Sequence, residues 1–385
     1  MTQATQKKTR KKGQKNADGL LTATVDTGER NPNGTKKYKY FRAKTRKELK
    51  AKVDAYKMDV ALNGKPLDQT TVTLSEWVHQ YLFVHVIHEV APTTFHRYVN
   101  LYEVHIKDSD IGDIGLQAIT HTQIQRYFNH KTDKAKATLQ KIKNLLNKAF
   151  KSAIHNNFIR HNPMDGIIIP KTAKEAKEIK ILTNEEQLRY IEASKEEPNG
   201  LFLRLALYTG MRLGEILALK WENVDLEKGT ITIKESMKRS RVYSDDGSFI
   251  VEDVVKEPKT KKGIRLIYIP DILIKELKCI EKSNGLVFKT NESTVNHMHD
   301  RICTAAKINP NKVYKGETAT TTYGIGIHAL RHTLATRLLE NNVNIKYVSD
   351  ILGHKNITTT YNIYSHVLDD SKREVAGMIN NIFIS

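Results

Sequence analysis

The chain has 385 residues and a mass of 44.0 kDa, a size that predicts two or three domains. Lys and Arg number 62 against 43 Asp and Glu, so the net charge is +19, the pI is about 9.6, and the expected partner is a polyanion, either nucleic acid or an anionic membrane surface. With 39% apolar residues, no apolar run near the ~18 residues of a spanning helix, no apolar stretch behind the N-terminal charges and only Cys279 and Cys303, the sequence argues against wholesale disorder, membrane spans, a secretory signal, a disulfide framework and a four-thiolate zinc site, and predicts a reduced, cytoplasmic protein.

The charge is concentrated at one end. Residues 1–50 hold 15 Lys/Arg against 4 Asp/Glu, so the first eighth of the chain carries +11. Residues 7–15, KKTRKKGQK, are a basic tail: either a solvated aid to solubility or an electrostatic clamp on phosphates. Two β-prone runs, 19–28 and 36–44, flank Asn31-Pro32-Asn33-Gly34 and predict a hairpin. Lys37, Tyr38, Lys39 and Tyr40 alternate, which puts both tyrosines on one face and both lysines on the other. A helix follows, with Thr45 and Glu48 at capping-box spacing and Leu49, Val53 and Tyr56 continuing the pattern. This small basic ββ(β)α domain, 1–66, is a candidate groove reader, with Lys37, Tyr38, Lys39, Tyr40 and Arg42 as its DNA contacts. An ordinary ββα unit with a charged surface is the plain alternative.

Residues 72–165 are predicted to be wholly helical. Thr73 and Glu76 cap a helix carrying Trp77, Tyr81 and Leu82. Pro92 opens a second helix, with Phe95, Tyr98, Leu101 and Tyr102, and Thr122 starts a short third, with Ile124, Tyr127 and Phe128. The longest helix runs from about residue 136 to 156. Its Leu139, Ile142, Leu146, Ala149, Phe150 and Ala153 fit a period of 3.6. Lys141 and Lys148 are left for the other side, where they are solvated surface or line a duplex. Residues 166–182, with Pro170 and four lysines, read as a linker. Thr183 and Glu186 then cap the first helix of a third domain, 183–385.

In this last domain TGMRLGE (209–215) interrupts a helical pattern. Gly210 permits a tight turn, and Arg212 needs an anionic partner. That partner is either Glu215 or an external anion that Arg212 meets with the help of Glu215. Three β-prone runs follow, 229–235, 248–255 and 264–270, and the turn 256–263 carries four lysines. His328 and His332 have the i, i+4 spacing of a zinc-protease pair, but Ala329 stands where that chemistry needs Glu, so no metal site is expected. His328 with Arg331 instead sets a hydrogen-bonding group beside a fixed cation. A second helix, 344–354, stops at Gly353. His354, Tyr361 and Tyr364 follow.

Taken together, these segments resemble the tyrosine site-specific recombinases, the lambda-integrase family, in the form found in phages and conjugative transposons. The resemblance is carried, in order, by TGMRLGE (209–215), PKTKKGIRLIYIP (258–270), HALRHTLATRL (328–338) and LGHKNITTTYNIYSHV (352–367). It implies a multidomain protein: an arm-site DNA-binding domain at 1–66, an all-α core-site domain at 72–165 and a mixed α+β catalytic domain. It implies that Arg212 and Arg331 hold the non-bridging oxygens of a scissile phosphate, supported by Glu215. His328 takes the base or hydrogen-bond position and His354 the final one. Lys259 is the implied general acid, with Lys261 and Lys262 as close competitors. Tyr364 is the implied nucleophile and Tyr361 the decoy.

The implied reaction cuts and rejoins DNA through a 3′-phosphotyrosine, without metal or cofactor. The implied partners are double-stranded DNA with core-type and arm-type sites and a homotetramer assembled on it; an excisionase and a host DNA-bending protein are further candidates. The apolar tail, 366–385, docks on its own domain or on a neighbouring subunit. Two rivals stand beside this reading. A resolvase or topoisomerase IB-like enzyme is disfavoured by the extra N-terminal domain. A non-catalytic DNA-binding regulator is disfavoured by the intact set of Arg212, His328, Arg331, His354 and Tyr364.

Overall fold

A computed structural model describes residues 19–30, 34–63, 71–171, 180–257, 264–282, 285–308, 310–315, 318–323 and 325–365. The basic tail 7–15, most of the linker, Lys259 with Lys261 and Lys262, and the tail 366–385 lie outside the described residues. Backbone contacts divide the chain into two units: Met1–Tyr81 with Tyr102–Thr172, and Leu82–Leu101 with Ala173–Ser385. In chain order the first elements are β1 (Leu21–Arg30), β2 (Lys36–Ala43), α1 (Arg46–Asn63), α2 (Leu74–Gln80), α3 (Pro92–His105), α4 (His121–Asn129) and α5 (Lys136–His155).

In the first unit β1 and β2 pair antiparallel, with Leu21 opposite Ala43 and Asp26 opposite Tyr38. Among the described residues this sheet has two strands. The strand alternation separates two environments. Tyr38, Tyr40 and Arg42 face solvent, while Phe41 meets Tyr56 of α1 edge-on at 5.2 Å and Ala43 is buried. Capping chemistry sets the helix starts. The Glu76 N–H donates to Thr73 Oγ1 at 3.2 Å, and the Thr73 N–H donates to Glu76 Oε2 at 2.8 Å. Helix α4 begins at His121, ahead of the expected Thr122, because Thr120 is capped reciprocally by Gln123.

Helix α5 buries Leu139, Ile142, Leu145, Leu146, Ala149, Phe150 and Ala153 along one stripe. Trp77 docks on that stripe. Its Nε1–H donates to the Ala149 carbonyl at 2.8 Å, and its ring meets Phe158 edge-on. Lys141 and Lys148 are exposed on the outer side, whereas Lys143 donates to the Ile167 carbonyl.

The second unit adds α6 (Asn184–Glu196), α7 (Leu201–Thr209), α8 (Leu213–Leu217), β3 (Val224–Asp225), β4 (Thr230–Ile233), β5 (Ser236–Tyr243), β6 (Phe249–Lys256), β7 (Arg265–Tyr268), α9 (Asp271–Lys278), α10 (Glu292–Ala305), β8 (Pro310–Lys315), β9 (Thr318–Tyr323), α11 (Ile327–Glu340) and α12 (Ile345–Leu352). Strands β3, β4 and β7 form one antiparallel sheet; β5–β6 and β8–β9 are separate hairpins. The predicted runs at 229–235, 248–255 and 264–270 fall on β4, β6 and β7. Strand β5 was not predicted, because Lys238, Arg239 and Arg241 obscure any apolar alternation; its register comes from pairing with β6. No helix of the described residues is long and apolar enough to cross a membrane.

The core of this unit wraps α7, where Phe202, Leu203, Leu205 and Ala206 are all buried against Ile231, Ile233 and Ile267 of the sheet and Leu330 of α11. Two polar contacts brace this core, one at its edge and one sealed. Arg204 pairs with Glu276 at 2.5 Å. His299 Nε2 lies 2.9 Å from the Ile325 carbonyl, which can only accept, so Nδ1 is left to accept from the Tyr190 hydroxyl at 2.7 Å. Tyr190→Phe leaves that nitrogen unpaired in the core and is expected to lower stability by about 1–3 kcal/mol. The check is a lower urea midpoint at unchanged slope; an unmoved midpoint would show that the core satisfies His299 in another way.

Candidate active site

The site is built where two glycines let chain segments approach closely. Gly210 ends α7 at φ 64°, and a Cβ there would meet Leu352 Cδ2 at 3.0 Å and Leu334 Cδ2 at 3.1 Å. The turn delivers Arg212 to the N-terminus of α8. Its N–H donates to Glu215 Oε2 at 2.8 Å, and its Nη1 donates to Glu215 Oε1 at 2.9 Å. Arg265, at the start of β7, donates to both oxygens of the same carboxylate, from Nη1 at 2.9 Å and from Nη2 at 2.7 Å. Its Nε donates to the Ile351 carbonyl at 3.1 Å. Gly353, at φ 65°, ends α12 directly against this guanidinium; a Cβ there would lie 2.9 Å from Arg265 Cδ. Burial by itself would raise the Glu215 pKa. The hydrogen bonds and charge of Arg265, with the backbone and charge of Arg212, outweigh it and hold the carboxyl at about 2.

Helix α11 supplies His328, Arg331 and His332 from one side. Arg331 is buried, and it donates to the Gly210 carbonyl at 2.5 Å and to the Leu352 carbonyl. It therefore ties the ends of α7 and α12 to α11. Burial and the neighbouring Arg212 pull its pKa below the ordinary arginine value, and it remains a cation at neutral pH. The rings of His328 and His332 meet edge-on at 4.7 Å. His332 Nδ1 lies 2.7 Å from the Tyr364 hydroxyl. His354 pairs through Nδ1 with Thr360 Oγ1 at 2.8 Å.

All three histidines are pushed down by burial first and by nearby positive charge second. His332 and His354 reach about 4, and His328 is lowered in the same direction. They are neutral at pH 7.

The two tyrosines of the last motif part company. Both lie on the helical stretch 357–365. Tyr361 is 50% exposed, whereas Tyr364 is 1% exposed and packs with Ala335, Leu339, Val348 and Leu352. Burial pushes the Tyr364 phenol up to about 12, with Arg331 opposing.

The structure thus brings Arg212, Glu215, His328, Arg331, His354 and Tyr364 to one place. Lys259 lies outside the described residues. Lys37, Tyr38, Lys39, Tyr40, Arg42, Lys141 and Lys148 belong to the other unit. Two neighbours of this set carry little signal in the sequence. Arg265 had a faint signal, a lone cation opening an apolar strand. His332 was set aside together with the zinc motif. Arg212, Arg265 and Arg331 face one carboxylate, so positive charge is left over. The Arg212 side chain, 41% exposed, presents it to solvent. Such a site can receive an oxyanion.

Comparison with known proteins identifies the family. The phage integrase family matches residues 172–371, and the phage integrase N-terminal SAM-like domain matches residues 73–132. A tyrosine recombinase XerC-like protein of Caldanaerobacter subterraneus subsp. tengcongensis is 33% identical over 399 residues, covering 96% of this chain and 98% of its own. The ICEBs1 integrase of Bacillus subtilis is 26% identical over 305 residues, 76% of this chain and 78% of its own. The fold is shared with the Tn1549 transposon integrase, solved in complex with a circular intermediate DNA, at a TM-score of 0.63 and 20% identity over 80% of this chain and 99% of that one. With one family description spanning over half of the chain and a relative similar along nearly its whole length, this chain belongs to the phage integrase family and is a tyrosine recombinase.

Proposed function

We propose that the chain is the integrase of a mobile element and that the residues gathered around Glu215 carry its DNA cleavage and rejoining. The observation that supports this most is the imbalance of three guanidiniums around one carboxylate, with a phenol beside them. A phosphodiester in attack builds charge on its equatorial oxygens, and fixed guanidiniums stabilise that charge. Arg212 and Arg331 would hold the non-bridging oxygens. Glu215 and Arg265 would keep Arg212 in place.

His328 and His354, being neutral, would act as hydrogen-bonding groups that steady the phosphate. Tyr364 Oη would attack phosphorus as its proton passes to neutral His328. The P–O5′ bond would break, and Lys259 would protonate the leaving 5′-oxygen. A second DNA 5′-hydroxyl would then attack the 3′-phosphotyrosine and release the phenol. One phosphoester replaces another in each step, so no nucleotide hydrolysis is required.

The remaining parts suit the same reading. The duplex would carry core-type sites for the helical 72–165 region, with Lys141 and Lys148 on its exposed side, and arm-type sites for 1–66. In the latter the outward face of β2 offers Tyr38, Tyr40 and Arg42, with Lys37 and Lys39 on the opposite face. Four copies would assemble on DNA, with the tail 366–385 docking between neighbours. An excisionase and a host DNA-bending protein would set direction.

On nicked core-site DNA, which traps the intermediate, Tyr364→Phe should lower covalent adduct by at least about a thousandfold. Tyr361→Phe should leave it within about threefold. An adduct that survives in the first variant and vanishes in the second, on denaturing gels, would move the nucleophile to Tyr361. Removal of residues 1–65 should abolish arm-site binding in gel-shift assays and leave core cleavage intact; equal loss of both would assign the basic region to the core clamp.

Glu215 also gives a pH prediction. Its carboxyl is held at about 2 when folded against an ordinary value of 4.5, so its stabilising effect is present above 4.5 and is lost as pH falls toward 2. Glu215→Gln should cost about 3 kcal/mol at pH 7, since it leaves buried Arg265 without its counter-charge. The gap between wild type and variant in denaturant titrations should close between pH 4.5 and 2. A gap constant across that range would show that the carboxylate's charge is not what holds the site.

A further inference from the structure

Tyr364 and Arg212 stand in opposite environments, and that contrast needs a cause. The guanidinium open to solvent belongs to Arg212, which is where a phosphate on DNA can first be met. The phenol is sealed, 1% exposed, among Ala335, Leu339, Val348 and Leu352. A side chain so enclosed cannot attack a phosphate on an incoming duplex until it leaves this pocket. The polar contact that holds it there is the 2.7 Å hydrogen bond between its hydroxyl and His332 Nδ1. His332 is itself fixed: it lies on α11 one turn after His328, ring against ring, and beside Arg331, whose guanidinium is anchored to the Gly210 and Leu352 carbonyls.

We infer that His332 is a positioning residue that latches Tyr364 in a buried resting state, through its hydrogen bond to the phenol, until DNA occupies the site. The inference rests on the reading of Tyr364 as the nucleophile. Its physical content is an asymmetry. A buried hydroxyl that loses its partner is penalised only where it is buried, so removing the ring nitrogen destabilises the resting position and leaves the released one untouched. The neutral ring suits this role, since either of its tautomers completes the bond to a phenol that can donate or accept. The equilibrium should shift toward release by about fivefold, the effect of one net neutral hydrogen bond.

The test uses the full chain and three variants: His332→Leu, which keeps apolar bulk without a partner, His332→Asn, which keeps a hydrogen-bonding group, and Tyr364→Phe. Without DNA, N-acetylimidazole labelling is followed peptide by peptide by mass spectrometry. Tyr364 should be labelled about fivefold faster in the leucine variant and at close to the wild-type rate in the asparagine variant. Tyr190, buried in the main core of the same unit, should stay unlabelled in all of them. Single-turnover adduct formation on nicked core DNA should be as fast as wild type or up to about fivefold faster in His332→Leu. If that variant does not fold, His332→Ala repeats both measurements.

Unchanged Tyr364 labelling in His332→Leu would overturn the latch. So would cleavage slowed more than tenfold with Tyr190 still protected, which would place His332 in the chemistry instead. Labelling of Tyr190 together with Tyr364 would reduce the effect to general loosening and overturn it as well. An adduct that persists in Tyr364→Phe would refute the nucleophile assignment, whatever the labelling shows.

Discussion

One buried carboxylate organises the catalytic unit. Glu215 sits in the first turn of α8, and burial alone would favour its neutral form. It stays charged because Arg212 reaches it from three residues away and Arg265 from fifty, the latter through both oxygens. The Arg265 side chain is pinned by this pairing and runs directly under Gly353, so the end of α12, and with it His354, is referred to the same point. Arg331 closes the frame by donating to the carbonyls that end α7 and α12. Elements distant in sequence are located by hydrogen bonds from these arginines.

The frame also explains why the arginines carry the positive charge here while the histidines do not. Arginine cannot shed its proton in this setting, so like-charge crowding is relieved only by an anion. Burial first, and this crowding after it, lowers the pKa of each histidine, and they become neutral groups around a cationic centre. The overall charge of +19 therefore understates how specialised the site is. A solvated basic face, such as the one with Lys141 and Lys148, attracts any polyanion. Three guanidiniums gathered around one carboxylate, two of them bonded to it and the third to backbone carbonyls, leave a defined place for one.

What the sequence made legible was local. The Thr73–Glu76 and Thr183–Glu186 boxes, the apolar stripe of α5 and the stop at Gly353 all depend on residues within one or two turns of each other, and each is found in the structure. The Arg212–Glu215 pair is local too. Where the determining contact is remote, the sequence carries little trace of it. Arg265 meets Glu215 across a separation of fifty residues, and β5 becomes a strand only through β6, its own side chains being largely charged. Thr120 was passed over for Thr122 because the reciprocal partner that decides the cap, Gln123, is neither Glu nor three residues after Thr122. His332 was read only as half of a metal motif, and its bond to a residue thirty-two positions later could not be seen in the spacing.

The environment of Tyr364 bears on how such a site can be both reactive and safe. A phenol becomes a nucleophile by losing its proton, yet burial pushes this one up to about 12, away from reactivity. Arg331 pulls the other way and loses to desolvation. The opposition is built in, since the side chain proposed to meet a phosphate is seated among Ala335, Leu339, Val348 and Leu352. Tyr361 is half exposed and lies outside this apolar cluster. An anion arriving at Arg212 changes the balance at its source. It satisfies charge that now has too few partners, and it gives the proposed nucleophile somewhere more favourable to be than an apolar pocket. Cleavage chemistry is in this way tied to the presence of its own substrate, by electrostatics and burial acting on one side chain.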